Sequence, residues 1–217
     1  PAFNPTGDKI AFLSDRNGYK EILLMRAADG KIIETLLKGE KAGDYEEMHW
    51  LRGGLTWSPD GSMLAFAAKS GERDAIHIKK VENKGNNIEI KLPMNAIYSP
   101  SWSPDGSKIL FSGIKDGKTD LFTVDITTRA VVRLTDDFFD ESSAQWNSDG
   151  TKIVFASDRR DAPYNLTLDS VTDSYNIFIM NADGSGIQRI TSSIFNDTNP
   201  SWSPDGKHIV FVSDRNG

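Results

Sequence analysis

The chain has 217 residues, 38% of them hydrophobic and 26% charged, enough to bury a sizeable core. Its net charge of -6 argues against broad nucleic-acid binding, which needs Lys and Arg to neutralise phosphates. No run approaches the roughly 18 apolar residues of a membrane span, so no direct membrane insertion is expected. The absence of Cys excludes disulfides and Cys-ligated zinc.

One ten-residue pattern is stated five times along the chain. It reads Phe3 to Phe12 (FNPTGDKIAF), Trp57 to Phe66 (WSPDGSMLAF), Trp102 to Phe111 (WSPDGSKILF), Trp146 to Phe155 (WNSDGTKIVF) and Trp202 to Phe211 (WSPDGKHIVF). The turn glycines, 7, 61, 106, 150 and 206, are spaced by 54, 45, 44 and 56 residues. Ser-Pro-Asp-Gly presets φ at its Pro and tolerates a positive φ at its Gly, so each copy reverses the chain into a hairpin. The run after each turn is apolar on both alternating faces, the pattern of a strand buried on both sides.

In chain order, the first repeat predicts strands at 1–5, 9–15, 21–25 and 32–37, the second at 55–58, 63–69, 75–80 and 88–92. The third predicts 100–103, 108–114, 120–125 and 130–134, and the fourth 144–147, 152–158, 176–181 and 187–191. The fifth has its first two strands, 200–203 and 208–214. Four strands at a period of roughly 40 to 50 residues describe a propeller blade. The expected fold is an all-β propeller with four complete blades and the first half of a fifth, its blades spanning about 1–49, 50–98, 99–142, 143–198 and 199–217. Such an array is expected to be an open arc, a fragment of a larger propeller.

The wording of the repeat resembles the WD-type propeller repeats of TolB-like proteins. The residues that carry it are Trp57, Trp102, Trp146 and Trp202, the Ser-Asp-Arg ends at 14–16, 157–159 and 213–215, and the Leu-Thr or Ile-Thr pairs at 134–135 and 190–191. The resemblance implies a periplasmic or otherwise extracytoplasmic propeller that works with the Tol system. Similar propellers also precede the catalytic domain of prolyl oligopeptidase-type peptidases. Phe3 departs from the pattern by replacing Trp, as does Asn147-Ser148 by replacing Ser-Pro.

Most of these motifs have a structural reading. A recurrent Trp at one strand position serves packing between blades, and the Asp-Arg pairs read as turn caps and salt bridges. There is no Gly-x-Ser-x-Gly elbow, no phosphate loop and no His-x-x-x-His spacing, so neither catalysis nor a cofactor is expected.

Strand alternation sends the connections after strands two and four to one face of the disc. That face receives both long insertions, 39–54 and 159–175. It is acidic and aromatic, with Glu46, Glu47, His49 and Trp50 from the first insertion and Asp136, Asp137, Phe138, Phe139, Asp140 and Glu141 from the third inter-blade connection. Tyr98 and Asp197 come from the remaining connections. Long loops on a rigid scaffold commonly carry binding. These residues are the candidate site for a protein or peptide partner with basic and apolar side chains. A second reading makes the chain the substrate-gating propeller of a larger hydrolase, and a third places Ca²⁺ among the carboxylates.

Overall fold

A computed structural model describes residues 1–38, 47–48, 54–70, 73–82, 87–159 and 174–216, with the side chains of Glu47, Met48 and Ser70 left aside. The first sheet is β1 (Ala2–Phe3), β2 (Lys9–Ser14), β3 (Glu21–Arg26) and β4 (Ile32–Lys38), hydrogen-bonded in that order. The second holds β5 (Glu47–Met48), β6 (Leu55–Trp57), β7 (Met63–Ser70), β8 (Arg73–Lys80) and β9 (Ile88–Lys91), with β5 and β6 both paired to β7. The third is β10 (Ala96–Trp102), β11 (Lys108–Lys115), β12 (Lys118–Asp125) and β13 (Val131–Arg133). The fourth is β14 (Glu141–Trp146), β15 (Lys152–Ser157), β16 (Asn176–Asn181) and β17 (Gln188–Arg189), and the fifth is the hairpin β18 (Asp197–Trp202) and β19 (Ile209–Ser213). Every pairing is antiparallel and, apart from that of β5 with β7, joins sequential neighbours, as in propeller blades.

The turns close as their chemistry requires. Gly61, Gly106, Gly150 and Gly206 all take positive φ, and each of their amides donates to the carbonyl three residues back. Within the turn, Asp60 is held at about 2, first by the Ser58 hydroxyl and then by the Ser62 amide and hydroxyl. Asp105 is held at about 2 in the same way by Ser103 and Ser107. The turns also stack around the disc. A Cβ at Gly61 would meet Pro5, one at Gly106 Pro59, and one at Gly150 Pro104.

The core lies between the sheets rather than inside any one of them. Ala11, Ile22 and Leu24 of the first sheet pack on Trp57, Leu64 and Phe66 of the second. Ile76, Ile78 and Ile90 meet Trp102, Ile109 and Phe111 at the next interface. Leu110 and Leu121 meet Ile153, Phe155 and Trp146. Val154, Ala156 and Ile177 meet Trp202, Ile209 and Phe211. Blades two to five therefore each bring a Trp to the blade before, and each buried Leu, Ile or Phe contributes about 1.5–3 kcal/mol to the stack. On the fifth sheet Val210 and Val212 are exposed, whereas Val154 and Ala156, at the matching positions of the fourth, are fully buried.

The inner strands differ from the expectation in one respect. They begin at Ala96, Glu141 and Asp197, two or three residues before the expected blade limits at 99, 143 and 199. A bulge splits each one, between Tyr98 and Ser101, Ser142 and Gln145, and Thr198 and Ser201. At the bulge Ser99, Ser143 and Asn199 adopt φ of 48, 55 and 50°, a kink that hides strand continuity from a pattern of strict alternation. Tyr98 and Asp197 accordingly lie in strands and not in connections, and Glu47 is paired with Lys69 in β5.

Candidate functional site

Two of the fully described inter-blade connections are copies of one another. Thr135-Asp136-Asp137-Phe138-Phe139-Asp140-Glu141 joins blades three and four, and Thr191-Ser192-Ser193-Ile194-Phe195-Asn196-Asp197 joins blades four and five. In both, the Thr hydroxyl accepts an amide of the preceding blade, Leu121 N–H at 2.9 Å in the first and Ile177 N–H at 3.0 Å in the second. The third residue caps its turn by accepting the amide two residues on, Asp137 Oδ1 from Phe139 at 3.0 Å and Ser193 Oγ from Phe195 at 3.0 Å. Next, the Asp140 and Asn196 amides donate to Asp158 and Asp214 at 2.9 and 2.8 Å. The Ser-Asp-Arg ends therefore fasten each connection to the end of the second strand.

The arginine of each Ser-Asp-Arg end meets the acid that opens the inner strand. Arg159 Nη2 donates to Glu141 Oε1 at 2.9 Å and to Asp137 Oδ2 at 2.8 Å. Arg215 Nη2 donates to Asp197 at 2.8 and 3.0 Å, while its Nε donates to Ser213 Oγ at 2.8 Å. Both acids are 0% exposed. Burial pushes Glu141 up to about 7 against the hydrogen bonds from Arg159 and Thr135, and the nearby Asp137 charge adds to the rise. At Asp197 burial acts in the same direction, yet hydrogen bonds from Ser213, Arg215 and Thr191 outweigh it and leave the carboxyl below its ordinary value.

Around the first connection the charge pattern continues. Arg133 bridges the buried Asp120, at 2.6 Å, and the exposed Asp136, at 2.8 Å. Burial raises Asp120 despite that partner. Phe138 is 90% exposed, with the Lys118 ammonium 4.1 Å from its ring centroid. Phe139 is half-buried, with Arg159 5.7 Å from its ring centroid. At the place of Phe138 in the second connection stands Ile194, 71% exposed.

The expected site residues are thus divided. Asp136, Asp137, Phe138, Phe139 and Asp140 share the connection between blades three and four. Glu141 is corrected from a surface carboxylate to a buried anchor, because its place in β14 turns it toward Arg159 and Ser157. Tyr98 is half-buried on β10. Glu46, His49, Trp50 and the Glu47 side chain lie outside the described residues. Sequence reasoning missed Ile194, which the alignment of the two connections reveals. Among the described residues no group of three or more His, Asp or Glu is placed to hold a metal ion. Among the described residues no helix is long and apolar enough to cross a membrane. A channel of about 540 Å³ runs along the inner strands, lined by uncharged side chains such as Thr56, Ser99, Ser143, Gln145 and Asn199.

Inner bulged strands around a channel, sheets stacked face on face and turns that repeat at the same place in every sheet define a β-propeller of four-stranded blades. The chain belongs to the TolB beta propeller domain family, whose model matches residues 54–171. An uncharacterized protein of Agrobacterium fabrum is 31% identical over 157 residues, covering 72% of this chain and 49% of that protein. The Tol-Pal system protein TolB of Bordetella pertussis is 28% identical over 173 residues, covering 80% of this chain and 36% of the relative. The chain spans about half or less of the length of these curated relatives. Among solved structures, putative TolB from Agrobacterium tumefaciens superposes with a TM-score of 0.77 at 26% identity, over 98% of this chain and 68% of that one. An oligogalacturonate lyase from Vibrio parahaemolyticus, at 18% identity and TM-score 0.65 over 98% and 57% of the two chains, shares the fold alone.

Proposed function

We propose that the chain is a non-catalytic scaffold that holds a protein or peptide partner against the face bearing the inter-blade connections. The observation that carries this reading is Phe138, a large aromatic 90% exposed on a connection that is itself fastened at several points. Carboxylates of Asp136 and Asp140 flank it, so the partner is a segment with apolar and basic side chains. Ile194 adds a second apolar tip on the same face. Kinship with a Tol-Pal system protein supports a protein partner and a place outside the cytoplasm. The described histidines support the non-catalytic reading. His77 is buried, stacked on Phe66 and driven toward its neutral form first by burial, and His208 is exposed in a turn.

The test is Phe138→Ser, with binding of a peptide of alternating Lys and Leu measured by titration calorimetry. Loss of an aromatic anchor of this kind removes about 2 kcal/mol, roughly a thirtyfold weakening. The melting temperature should stay where it was, because Phe138 has little burial to lose. Equal affinity in the variant defeats the reading, as does turnover of ester or peptide substrates above a heat-treated control.

A further inference from the structure

Lys118 opens β12 directly after the two-residue turn Asp116-Gly117, whose φ values of 55 and 81° fold the chain back along β11. The Thr119 amide donates to Asp140 Oδ1 at 3.3 Å and so ties this hairpin to the connection that carries Phe138. The acids nearby are engaged elsewhere: Arg133 holds Asp120 and Asp136, and Arg159 holds Asp137 and Glu141. Among the described residues no carboxylate forms an ion pair with Lys118, and its ammonium rests 4.1 Å from the Phe138 ring centroid, where the ring quadrupole attracts it. The scaffold does not impose this arrangement. Glu141 pairs with Ser157 as Ile97 pairs with Gly113 and Asp197 with Ser213, which sets Phe138 in register with Met94 and Ile194. Met94 is buried and Ile194 is aliphatic. The pairing of Gly113 with Asp120 and of Ser157 with Asn176 likewise puts Ser174 at the place of Lys118 in the next blade. Ring and ammonium are thus both present in blade three and both replaced in blade four.

We propose that the exposed Phe138 ring is a cation-binding face, that Lys118 occupies it as an internal stand-in, and that a basic side chain of the partner displaces Lys118 on binding. The inference rests on the reading of Phe138 as the partner's anchor and adds what the ring recognises. Lysine suits the exchange, because its ammonium is a point charge on a flexible four-carbon stem and its departure breaks no fork of hydrogen bonds. The partner's side chain brings the same charge to the same face. Lys118 therefore sets a threshold for the partner, and removing it should tighten binding about threefold at so exposed a ring.

The experiment is an NMR titration of the ¹³C-labelled protein, reading the Lys118 ε-methylene, which the Phe138 ring current shifts upfield. The probes are the peptide of alternating Lys and Leu and a twin whose lysines are acetylated. The basic peptide should return the Lys118 signal to its position in Phe138→Ser, and the acetylated twin should leave it unmoved. Calorimetry on Lys118→Met should show about threefold tighter binding of the basic peptide. Lys115→Met removes an equal charge from the paired position of the same hairpin and should show no comparable gain. Unchanged or weaker binding in Lys118→Met, or an equal gain in Lys115→Met, overturns the proposal, as does a Lys118 signal that is the same with and without the Phe138 ring. A basic peptide that binds through Phe138 while the Lys118 signal stays in place also overturns it, yet leaves Phe138 standing as the anchor. A basic peptide that binds neither the protein nor Lys118→Met defeats both readings.

Discussion

The connections after blades three and four have one backbone plan and different electrostatics, the first acidic and the second balanced. Around the first, Lys118, Arg133 and Arg159 face Asp120, Asp136, Asp137, Asp140, Glu141 and Asp158; at the matching places of the second, Arg189 and Arg215 face Asp197 and Asp214. The same anchoring pair, an acid at the start of the inner strand and an arginine eighteen residues on, therefore titrates in opposite directions. Glu141 shares Arg159 with Asp137 and rises to about 7, with burial as the largest cause. Asp197 has the Arg215 Nη2 to itself and stays low. The lesson concerns division of labour: the hydrogen bonds that hold the propeller together are duplicated, and the side chains left over are where the connections diverge.

The largest expected effect comes from removing the arginines. Arg159→Ala leaves Glu141 buried without its cation and should cost about 3 kcal/mol at pH 8, where the carboxyl is ionised. Arg215→Ala should cost about 1 kcal/mol, because its guanidinium is half-exposed and solvent screens the loss. Urea denaturation of both variants at pH 8 checks the ranking. An equal or reversed order would mean that the two anchors are not the same device in two settings.

The pH dependence sharpens the contrast. Glu141 has a folded value of about 7 against an ordinary 4.5, so the native state holds its proton more tightly than the unfolded chain does. Its contribution to stability is fully present below about 4.5 and is lost as pH rises through 7. Asp197 behaves oppositely: its contribution is present above 3.8 and is lost as pH falls through its lowered folded value. Glu141→Gln should flatten the decline in stability between pH 5 and pH 8, a difference of about 2 kcal/mol across that window. Unfolding free energies measured at three pH values across the window decide it, and an unchanged slope counts against the assignment.

The sequence announced the fold because turn chemistry is local. Ser-Pro-Asp-Gly dictates a reversal wherever it stands, and a Trp four residues before the turn Gly, at 57, 102, 146 and 202, marks the interface between blades. Exposure of Phe138 was legible for a similar reason, as an aromatic in a run of acids between two strands. The fate of the acids was not. Whether Asp137 or Glu141 faces solvent depends on which one the backbone turns toward Arg159, and the bulge at Ser143 obscures the start of the strand that decides this. One signal was present, the eighteen-residue spacing shared by Glu141 with Arg159 and by Asp197 with Arg215, and it shows once Thr135–Glu141 is laid over Thr191–Asp197.

The smallest expected change comes from Asp137→Ser, which rewrites the first connection in the terms of the second. The turn should survive, since Ser193 caps the equivalent turn with its hydroxyl. What goes is the ion pair to Arg159, between side chains 16% and 31% exposed, worth about 1 kcal/mol or less. With Asp137 gone, a charge that raises Glu141 disappears and Arg159 Nη2 serves one carboxylate instead of two, so the Glu141 titration should move down. It should stop short of the ordinary value, because burial is the larger cause and remains. A ¹³C-detected titration of the Glu141 carboxyl follows this directly. If it does not move, the Asp137 charge has no part in its value, and the difference between Glu141 and Asp197 must come from the hydrogen bonds that Ser213, Arg215 and Thr191 give Asp197 rather than from the carboxylate that Ser193 lacks.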